Sequence, residues 1–378
     1  MSEPKANISF WERQFLSQAD IVVLGAGIVG LQSAHNLKLK YPHRKVWVLD
    51  RAPWSYGASM RNAGFACFGS VGEILDDAER TSFDEALQLY ERRFKGIHLL
   101  LQKYSATAIG HEITGGYEIF NPDQGEEAQR LFSQMDRVNQ GLVSVTKTAP
   151  FVAKNAANTG MRILPEAIYT PFEGAIQTHL LYRAIRNAAL ASGVEIYTGI
   201  EIQGFEAQSP GWLVYANDGF QMRCRKLVIC TNGFTKKLIP DLDIQPARGQ
   251  VLVTSHIPDL AWRGLMHTDK GYIYFRSLGT RILIGGARNT DFEGENTTEI
   301  EANQAIQERL LDFLKNTVVP HATFEITDAW SGIMGMAQSR HPIVTEHLPG
   351  LYVCARMGGM GVALSALVSE ELAALVVD

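Results

Sequence analysis

The stretch "DIVVLGAGIVGLQSAHNL", residues 20–37, joins an apolar run to a glycine-rich turn and then to a helical stripe. The apolar run stops at the glycines, which predicts a buried parallel strand. Apolar residues then recur every three positions and predict a helix: Ile28, Leu31, Ala34 and Leu37. "KVWVLD" at 45–50 predicts a second short strand. Strand, helix and strand together predict one βαβ unit.

The turn of this unit has the spacing GxGxxG, formed by Gly25, Gly27 and Gly30. Between a strand and a helix, this spacing is typical of a dinucleotide site. The first glycine permits a tight turn, the second lets the backbone approach a pyrophosphate, and the third lets the helix pack closely on the strand. Asp50 lies twenty residues after Gly30, where a carboxylate can bind ribose hydroxyls. This fingerprint does not distinguish NAD from FAD.

The segment "GASMRNAGFACFG" at 57–69 is unusually rich in small residues. It has too little apolar periodicity for a helix and side chains too small for a well-packed strand, so we expect irregular backbone. Small side chains let backbone amides approach phosphates and a flat ring, and Arg61 and Asn62 add polar groups beside them. Taken with the family resemblance described below, this segment favours FAD.

Two later segments also favour FAD. "VICTNGF" at 228–234 predicts a strand and a small turn suited to a flat ligand, at Thr231, Asn232 and Gly233. "RMGGMGV" at 356–362 precedes the last helix, whose N-terminus offers amides and a positive dipole to the negative charge of a reduced flavin. An NAD-dependent dehydrogenase or a non-catalytic Rossmann scaffold is an alternative, but neither needs this third loop.

The rest of the chain shows strand and helix patterns at both ends and hairpin patterns in the middle. The expected elements are a helix over about 75–104, a strand at 115–120, a helix and strand over 179–199, a hairpin at 271–287, and strand, turn and helix over 351–376. The hairpin should turn at Gly279. A further helix should begin near Thr298, where Thr298 and Glu301 match a capping box. The predicted fold class is α/β, a Rossmann-like FAD-binding domain interrupted by an α+β substrate domain with an antiparallel sheet. We place the FAD-binding domain at 18–85, 143–243 and 325–378, the substrate domain at 86–142 and 244–324, and an N-terminal extension at 1–17.

Composition narrows the class of protein. The 378 residues carry a net charge of −5, which argues against a nucleic-acid partner. No apolar segment is long enough to predict a membrane span, and the first twenty residues lack the apolar core of a secretory signal. The four cysteines form no CxxC pair and no metal-site spacing, so we expect no metal, buried thiols that fill the core, and a reducing cytoplasm. The oligomeric state is left open.

The motifs as a set carry a family resemblance. "GAGIVG", Asp50, "GASMRNAGF", "GGYEIF", "VICTNGFT…PARGQ", "GYIYFR…RILIGGA" and "WSGIMG…HPIV…GLYVCARMGGMGV" follow the order seen in the D-amino-acid oxidase (DAO) superfamily. The resemblance runs from about Ala19 to the end of the chain. "GASMRN" and "SFW" look most similar to the gamma-glutamylputrescine oxidase branch, near glycine oxidase.

This resemblance implies FAD, a two-domain fold and dehydrogenation of a carbon–nitrogen bond. It implies flavin-binding roles for Ile28, Val29, Asp50, Arg51, Ala58, Ser59, Ala63, Gly64, Phe65, Ile200, Gly358, Gly359, Met360, Gly361 and Val362. Of these, Ile200 would bind adenine through its backbone. Family members with covalent flavin use a cysteine between Trp330 and Val353, and none is present, so noncovalent FAD is expected.

The chain also departs from the family on the substrate side. Met334 stands where glycine-oxidase-like members have an arginine for the substrate carboxylate, and Arg340 stands where many members have an acid. Sarcosine-oxidase-like members use a lysine near the "RILIGG" strand to react with oxygen. No lysine is present there, which favours a dehydrogenase over an oxidase.

Hydride transfer from an amine needs mainly a neutral amine positioned in a dry pocket, so no protein acid or base is obligatory. We expect Tyr272, Tyr274 and Arg276 in the pocket, with Arg276 or Arg340 replacing the missing carboxylate arginine. Four methionines are further candidates for the wall, although core packing would also explain them: Met334, Met336, Met357 and Met360. The predicted function is dehydrogenation of a small amine or amino acid by hydride transfer to FAD. The alternative is a flavoprotein that passes electrons to a partner other than oxygen or modifies a larger amine such as a tRNA base.

Overall fold

The computed structural model describes residues 9–216 and 219–377. Its strands are β1 Gln18–Leu24, β2 Val46–Asp50, β3 Phe65–Ala66, β4 Glu112–Ile113, β5 Gly116–Glu118, β6 Val152–Asn155, β7 Glu166–Thr170, β8 Gly174–Ala175, β9 Glu195–Thr198, β10 Ile202–Ala207, β11 Trp212–Ala216, β12 Gln221–Ile229, β13 Gln245–Thr254, β14 Leu265–Thr268, β15 Ile273–Leu278, β16 Arg281–Gly286, β17 Ile326–Met336, β18 Ile343–Leu348 and β19 Leu351–Ala355.

Its α-helices are α1 Phe10–Leu16, α2 Ile28–Lys40, α3 Ala58–Arg61, α4 Val71–Arg80, α5 Phe83–Lys103, α6 Ala106–Ile109, α7 Gly125–Thr146, α8 Thr178–Ala191, α9 Thr235–Leu238, α10 Phe292–Glu295, α11 Gln304–Phe313 and α12 Gly361–Leu375. Of the predicted N-terminal extension, residues 1–8 lie outside the described residues, as do 217–218 and 378 of the predicted FAD-binding domain. Among the described residues, no helix combines the length and the apolar character needed to cross a membrane.

The first large sheet has the order β10-β11-β12-β1-β2-β9, with β19 also paired to β12 and β18 to β19. The strands β9, β2, β1, β12 and β19 run parallel. Parallel strands are covered on both faces, which explains why β1 and β2 are apolar without alternation. Ile21 and Val23 face the core that holds the helices, and Val22 and Leu24 face the opposite core. The predicted βαβ unit is confirmed.

The second large sheet has the order β17-β13-β16-β15-β14-β5-β7-β6 and is antiparallel except for the parallel pair β14 and β5. The predicted hairpin is present as β15 and β16, with its turn at Gly279. The α/β fold class with an antiparallel second sheet is therefore confirmed. The strands β6, β7 and β17 belong to this second sheet, although the predicted domain limits grouped them with the FAD-binding domain.

Three local predictions were wrong. The helix expected over 75–104 is two helices, because the Ser82 side chain accepts the amide of Glu85 and starts α5 anew. The helix expected near Thr298 begins at Gln304, where the Asn303 side chain provides the N-cap. The segment 57–69 contains one helical turn, α3, and the short strand β3. The four cysteines are free and buried, as predicted.

Candidate active site

A single continuous cavity of about 470 Å³ runs from the carboxyl ends of β1 and β2 to the face of the second sheet. Leu24 and Asp50 border it at the strand ends, and Val251, Tyr274 and Met334 border it on the second sheet. Ligands of open parallel sheets bind outside the carboxyl ends of the strands. The volume falls within the range of about 300–1,000 Å³ typical of small-molecule sites.

The glycine turn at one end of the cavity is built as the fingerprint requires. Gly25 has a φ of +104°, and a Cβ there would lie 2.8 Å from the Cys230 carbonyl oxygen. A Cβ on Gly30 would lie 1.9 Å from the Gly25 carbonyl oxygen, so only glycine allows α2 to pack this closely. The first amide of the helix, that of Ile28, donates to the Ser59 hydroxyl at 2.9 Å.

Asp50 is fixed beside this turn. Its carboxylate accepts the amides of Ala26 at 2.7 Å and Ala52 at 3.0 Å, and the side chain borders the cavity. The amide of Ile200 donates to the Asp50 carbonyl oxygen at 2.9 Å. Of the backbone of Ile200, only the carbonyl oxygen is therefore left to meet an adenine. Arg51 lies over the ring of Phe234, 3.9 Å from its centroid.

The two polar side chains of 57–69 are largely engaged within the protein. Arg61 donates to the Ser331 carbonyl oxygen at 2.6 Å and lies over the ring of Tyr56. The Asn62 amide donates to the Ser59 carbonyl oxygen, and its oxygen accepts the amide of Gly64. The segment therefore offers mainly backbone to a ligand, and the Asn62 side chain holds its shape.

The loop 356–362 forms the far side of the same cavity. The side-chain oxygen of Asn232 accepts the amides of Arg356 at 3.2 Å and Met357 at 3.4 Å, which ties the turn after β12 to this loop. The helix α12 begins at Gly361, with its N-terminus at the cavity. Three segments distant in the sequence thus meet around one space.

Most of the predicted cofactor residues border the cavity: Gly25, Gly27, Ile28, Val29, Asp50, Arg51, Ala58, Ser59, Arg61, Asn62, Ala63, Phe65, Ile200, Thr231, Asn232, Gly358, Gly359, Met360, Gly361 and Val362. Gly30, Gly64 and Gly233 do not border it. Each of these three packs against neighbouring backbone, because an added Cβ would lie 2.5 Å or less from a carbonyl oxygen. Their predicted part in the site is therefore indirect.

The predicted substrate residues divide in the same way. Tyr272, Tyr274, Met334 and Arg340 border the cavity, but Arg276 does not. Arg276 is buried, donates to the Ile176 carbonyl oxygen at 3.2 Å, and has its pKa lowered by burial to about 10. Arg276 therefore does not line the cavity, and its guanidinium is held by the Ile176 carbonyl oxygen.

Arg340 reaches the cavity but is already paired. Its guanidinium lies 3.0 Å from Asp76 and 3.1 Å from Asp77. Asp76 also meets Arg80 at 3.0 Å and Lys270 at 3.5 Å. The charge of Arg340 is thus balanced within the protein, and it is a weaker candidate for a substrate carboxylate than the sequence suggested.

Several residues that border the cavity were missed from the sequence: Cys67, Glu73, Arg93, His267, Lys270 and Arg288. His267 is buried and lies 3.3 Å from Glu173. Burial disfavours the charged imidazole, but the hydrogen bond to Glu173 and the negative charges of Glu173, Glu73 and Glu118 together outweigh it and raise the pKa of His267 to about 9. Side-chain atoms of Cys67, Glu173 and His267 lie within 4.8 Å of one another. Burial and the nearby glutamates raise the pKa of the Cys67 thiol well above its usual value, so it stays protonated rather than forming a thiolate ligand.

A family model described as DAO, FAD dependent oxidoreductase, matches residues 20–375. The chain belongs to this family. Its predicted resemblance to the DAO enzymes is confirmed, and so is FAD as the cofactor of an oxidoreductase. Noncovalent attachment of FAD stays a prediction.

Curated relatives of this DAO-family chain are distant. It is 24% identical over 364 residues to the probable oxidoreductase OrdL of Rhizobium meliloti (strain 1021), covering 92% of this chain and 80% of that protein. It is 26% identical over 384 residues to the bifunctional protein ThiO/ThiG of Nostoc sp. (strain PCC 7120 / SAG 25.82 / UTEX 2576), covering 95% of this chain and 53% of that protein. The chain thus spans about half the length of its bifunctional relatives.

Solved structures show the same fold. Glycine oxidase from Geobacillus kaustophilus matches with a TM-score of 0.76 at 20% identity, covering 95% of this chain and 94% of that chain. L-proline dehydrogenase from P. horikoshii matches with a TM-score of 0.74 at 18% identity, covering 95% and 93%.

The residues present fit FAD. The glycine turn leaves no room for a Cβ where a pyrophosphate would approach, and Asp50 stands where a ribose would lie. Two helix N-termini, those of α2 and α12, border the same cavity and favour negative charge. The same cavity also reaches the tyrosines and methionines of the second sheet.

Proposed function

We propose that this FAD-dependent oxidoreductase dehydrogenates the carbon–nitrogen bond of a small amine or amino acid. The observation that carries the proposal is the extension of the flavin cavity onto the second sheet, between Tyr272, Tyr274 and Met334. The wall there is mostly apolar, which suits a neutral amine in a space from which water is excluded. Glycine oxidase, L-proline dehydrogenase and iminodiacetate oxidase are named among its structural neighbours, which supports this substrate class.

In this proposal the protein positions the substrate and keeps it dry. FAD, when bound, would supply the hydride acceptor, and the neutral amine that gives up the hydride would become an iminium cation, which can lose its N–H proton to water. Phe65 packs edge-on against Tyr274, with ring centroids 5.4 Å apart, and Ala63, Val251 and Leu283 pack beside them. Burial, with Cys67 nearby, raises the pKa of Tyr274 to about 12, so its hydroxyl stays neutral and can donate a hydrogen bond.

A second candidate is a dehydrogenase that passes electrons to an acceptor other than oxygen. The strand β16 carries no lysine, and Leu283 there is buried among apolar residues. Lys270 does border the cavity, but it pairs with Asp76 at 3.5 Å. Modification of a large amine such as a tRNA base is less well supported, because the net charge of −5 gives no basic footprint.

The test begins with the purified protein. It should be yellow, and acid should release its flavin. Anaerobic mixing with a panel of amines, amino acids and N-methyl amino acids should bleach the flavin absorbance with at least one of them. Protein that takes up no FAD, or flavin that no member bleaches, would overturn the proposal. Reoxidation in air compared with reoxidation by an artificial acceptor then separates the oxidase from the dehydrogenase.

A further inference from the structure

Two buried cysteines lie side by side at the carboxyl ends of neighbouring strands. The strands β12 and β19 run parallel, and Ile229 is paired with Val353 where β12 ends. Cys230 and Cys354 are the next residue on each strand, and both belong to the core on the helix side of the sheet. Ile229 and Val353 belong to the opposite core, as the alternation of a strand requires. The two thiols therefore lie on the same face of the sheet, at adjacent positions.

This placement suits a disulfide. Neighbouring strands lie about 4.8 Å apart. A disulfide joins Cα atoms about 4.4–6.8 Å apart. The Cys354 thiol is in hydrogen-bond contact with Cys230, and both cysteines are free in the structure. The other two cysteines are placed elsewhere, since Cys67 lies beside Glu173 and Cys224 belongs to the opposite core.

Both thiols border the flavin cavity, but they are not equally accessible from it. Cys230 is 7% exposed and Cys354 is 1% exposed, so a small solute in the cavity reaches Cys230 first. The hydrogen bond with Cys230, together with burial, raises the pKa of Cys354 well above its usual value, so Cys354 keeps its proton. Once Cys230 has been oxidised, its partner is already in place, and the second step needs no access from solvent.

The backbone of Cys230 supports the glycine turn. Its carbonyl oxygen lies 2.8 Å from the position of a Cβ on Gly25, and its own Cβ lies 3.2 Å from the position of a Cβ on Gly30. Its amide donates to the Leu24 carbonyl oxygen at 2.8 Å. A bond that draws Cys230 towards Cys354 therefore shifts atoms packed against the turn that a dinucleotide pyrophosphate approaches.

We propose that Cys230 and Cys354 form a peroxide-sensitive dithiol, which closes to a disulfide and thereby weakens FAD binding. The Cys230 sulfur attacks hydrogen peroxide and breaks its O–O bond, which gives a Cys230 sulfenic acid and one water. The Cys354 sulfur then displaces the sulfenic hydroxyl, which leaves with the Cys354 proton as a second water while the S–S bond forms. The two thiols lose two electrons, and the peroxide is reduced to two waters. A thiol reductant reverses the bond by exchange. This inference does not depend on the substrate of the enzyme.

The test treats the holoenzyme, diluted until part of its FAD dissociates, with hydrogen peroxide. Peptide mapping after alkylation of the remaining thiols should show a linkage between Cys230 and Cys354. Free FAD, followed by its fluorescence, should increase as the linkage forms, and dithiothreitol should reverse both changes. Added FAD at about ten times its Kd should slow the linkage by about tenfold, because peroxide reaches Cys230 only through an unoccupied cavity.

Three variants assign the steps. Cys354→Ser should leave Cys230 as a sulfenic acid that dimedone traps, and Cys230→Ser should lose no FAD to peroxide. Cys67→Ser is the matched control, because Cys67 also borders the cavity, and it should behave as the wild type does. The inference is wrong if the linkage does not form, if it forms without loss of FAD, or if added FAD gives no protection. The wild-type measurements give this decision even where a serine variant does not fold.

Discussion

Glu118 provides a quantitative test of the electrostatics beneath the cavity. It ends β5 and is 4% exposed. One carboxylate oxygen accepts the Ser70 hydroxyl at 2.8 Å and the Gly72 amide at 3.1 Å. Burial raises the pKa of Glu118 to about 7, although both hydrogen bonds oppose the rise, and the nearby Glu73 adds to it.

The sign and the size of the effect follow from this shift. The folded protein holds the Glu118 proton more tightly than the unfolded chain, whose carboxyl titrates near 4.5. The contribution of Glu118 to the free energy of unfolding is therefore most favourable below pH 4.5 and declines as the pH rises towards 7. Each unit of pKa corresponds to 1.36 kcal/mol, so the full decline is about 3 kcal/mol as an upper limit.

Glu118→Gln removes the ionisation and keeps an oxygen that can accept both hydrogen bonds. Urea unfolding of the variant and the wild type from pH 4.5 to 8 should show their difference in free energy growing by about 2–3 kcal/mol in favour of glutamine. Titrating groups that do not interact with Glu118 cancel in this difference, whereas Glu73 and His267 lie close enough to Glu118 to contribute to it. Glu166→Gln, an exposed carboxylate on the neighbouring strand β7, should show a flat difference. A flat difference for Glu118→Gln as well would refute the reasoning.

Three further predictions concern the cofactor half of the site and its supports. Gly30→Ala places a Cβ 1.9 Å from a carbonyl oxygen of the turn and should lower the free energy of unfolding, measured in urea, by at least about 2 kcal/mol. Gly57→Ala is the control, because a Cβ added there has no atom within 4 Å, and it should leave the free energy of unfolding unchanged. Asp50→Ala should weaken FAD binding by about tenfold or more in a fluorescence titration, and an unchanged Kd would count against its predicted ribose contact. Arg340→Met should lower the free energy of unfolding by about 1–3 kcal/mol, because Asp76 and Asp77 each lose one charged contact but keep Arg80, Lys270 and Arg93, and it should not alter the preference for acids over amines.

The cofactor half of the site was predictable because its determinants are local. Gly25, Gly27 and Gly30 act on the backbone within one turn, and the apolar spacing of α2 is visible within four residues. The first residue of a helix is harder to predict from the sequence than the glycine turn, because several neighbouring side chains can each act as the N-cap. Thr298 and Glu301 match a capping pattern, yet Asn303 provides the cap that forms.

The substrate half was poorly predictable because its determinants are pairings between distant residues. Arg276 and Arg340 look alike in sequence, and nothing near either of them indicates a partner. Arg340 is paired with Asp76, 264 residues away, while Arg276 is turned towards Ile176 and out of the cavity. The alternation of β15 places Tyr274 and Arg276 on the same side of the strand, but it does not specify how far along that side the cavity extends.

The distribution of charge around the cavity connects these observations with specificity. A wall that pairs its cations internally presents little net charge to a substrate, so such a wall cannot distinguish an amino acid from an amine. Asp76 and Asp77 neutralise the wall in this way at Arg340 and Lys270. Arg288 also borders the cavity and has no described carboxylate within 4.0 Å, but its guanidinium is held within the protein by the Asn296 side chain and the ring of Phe292.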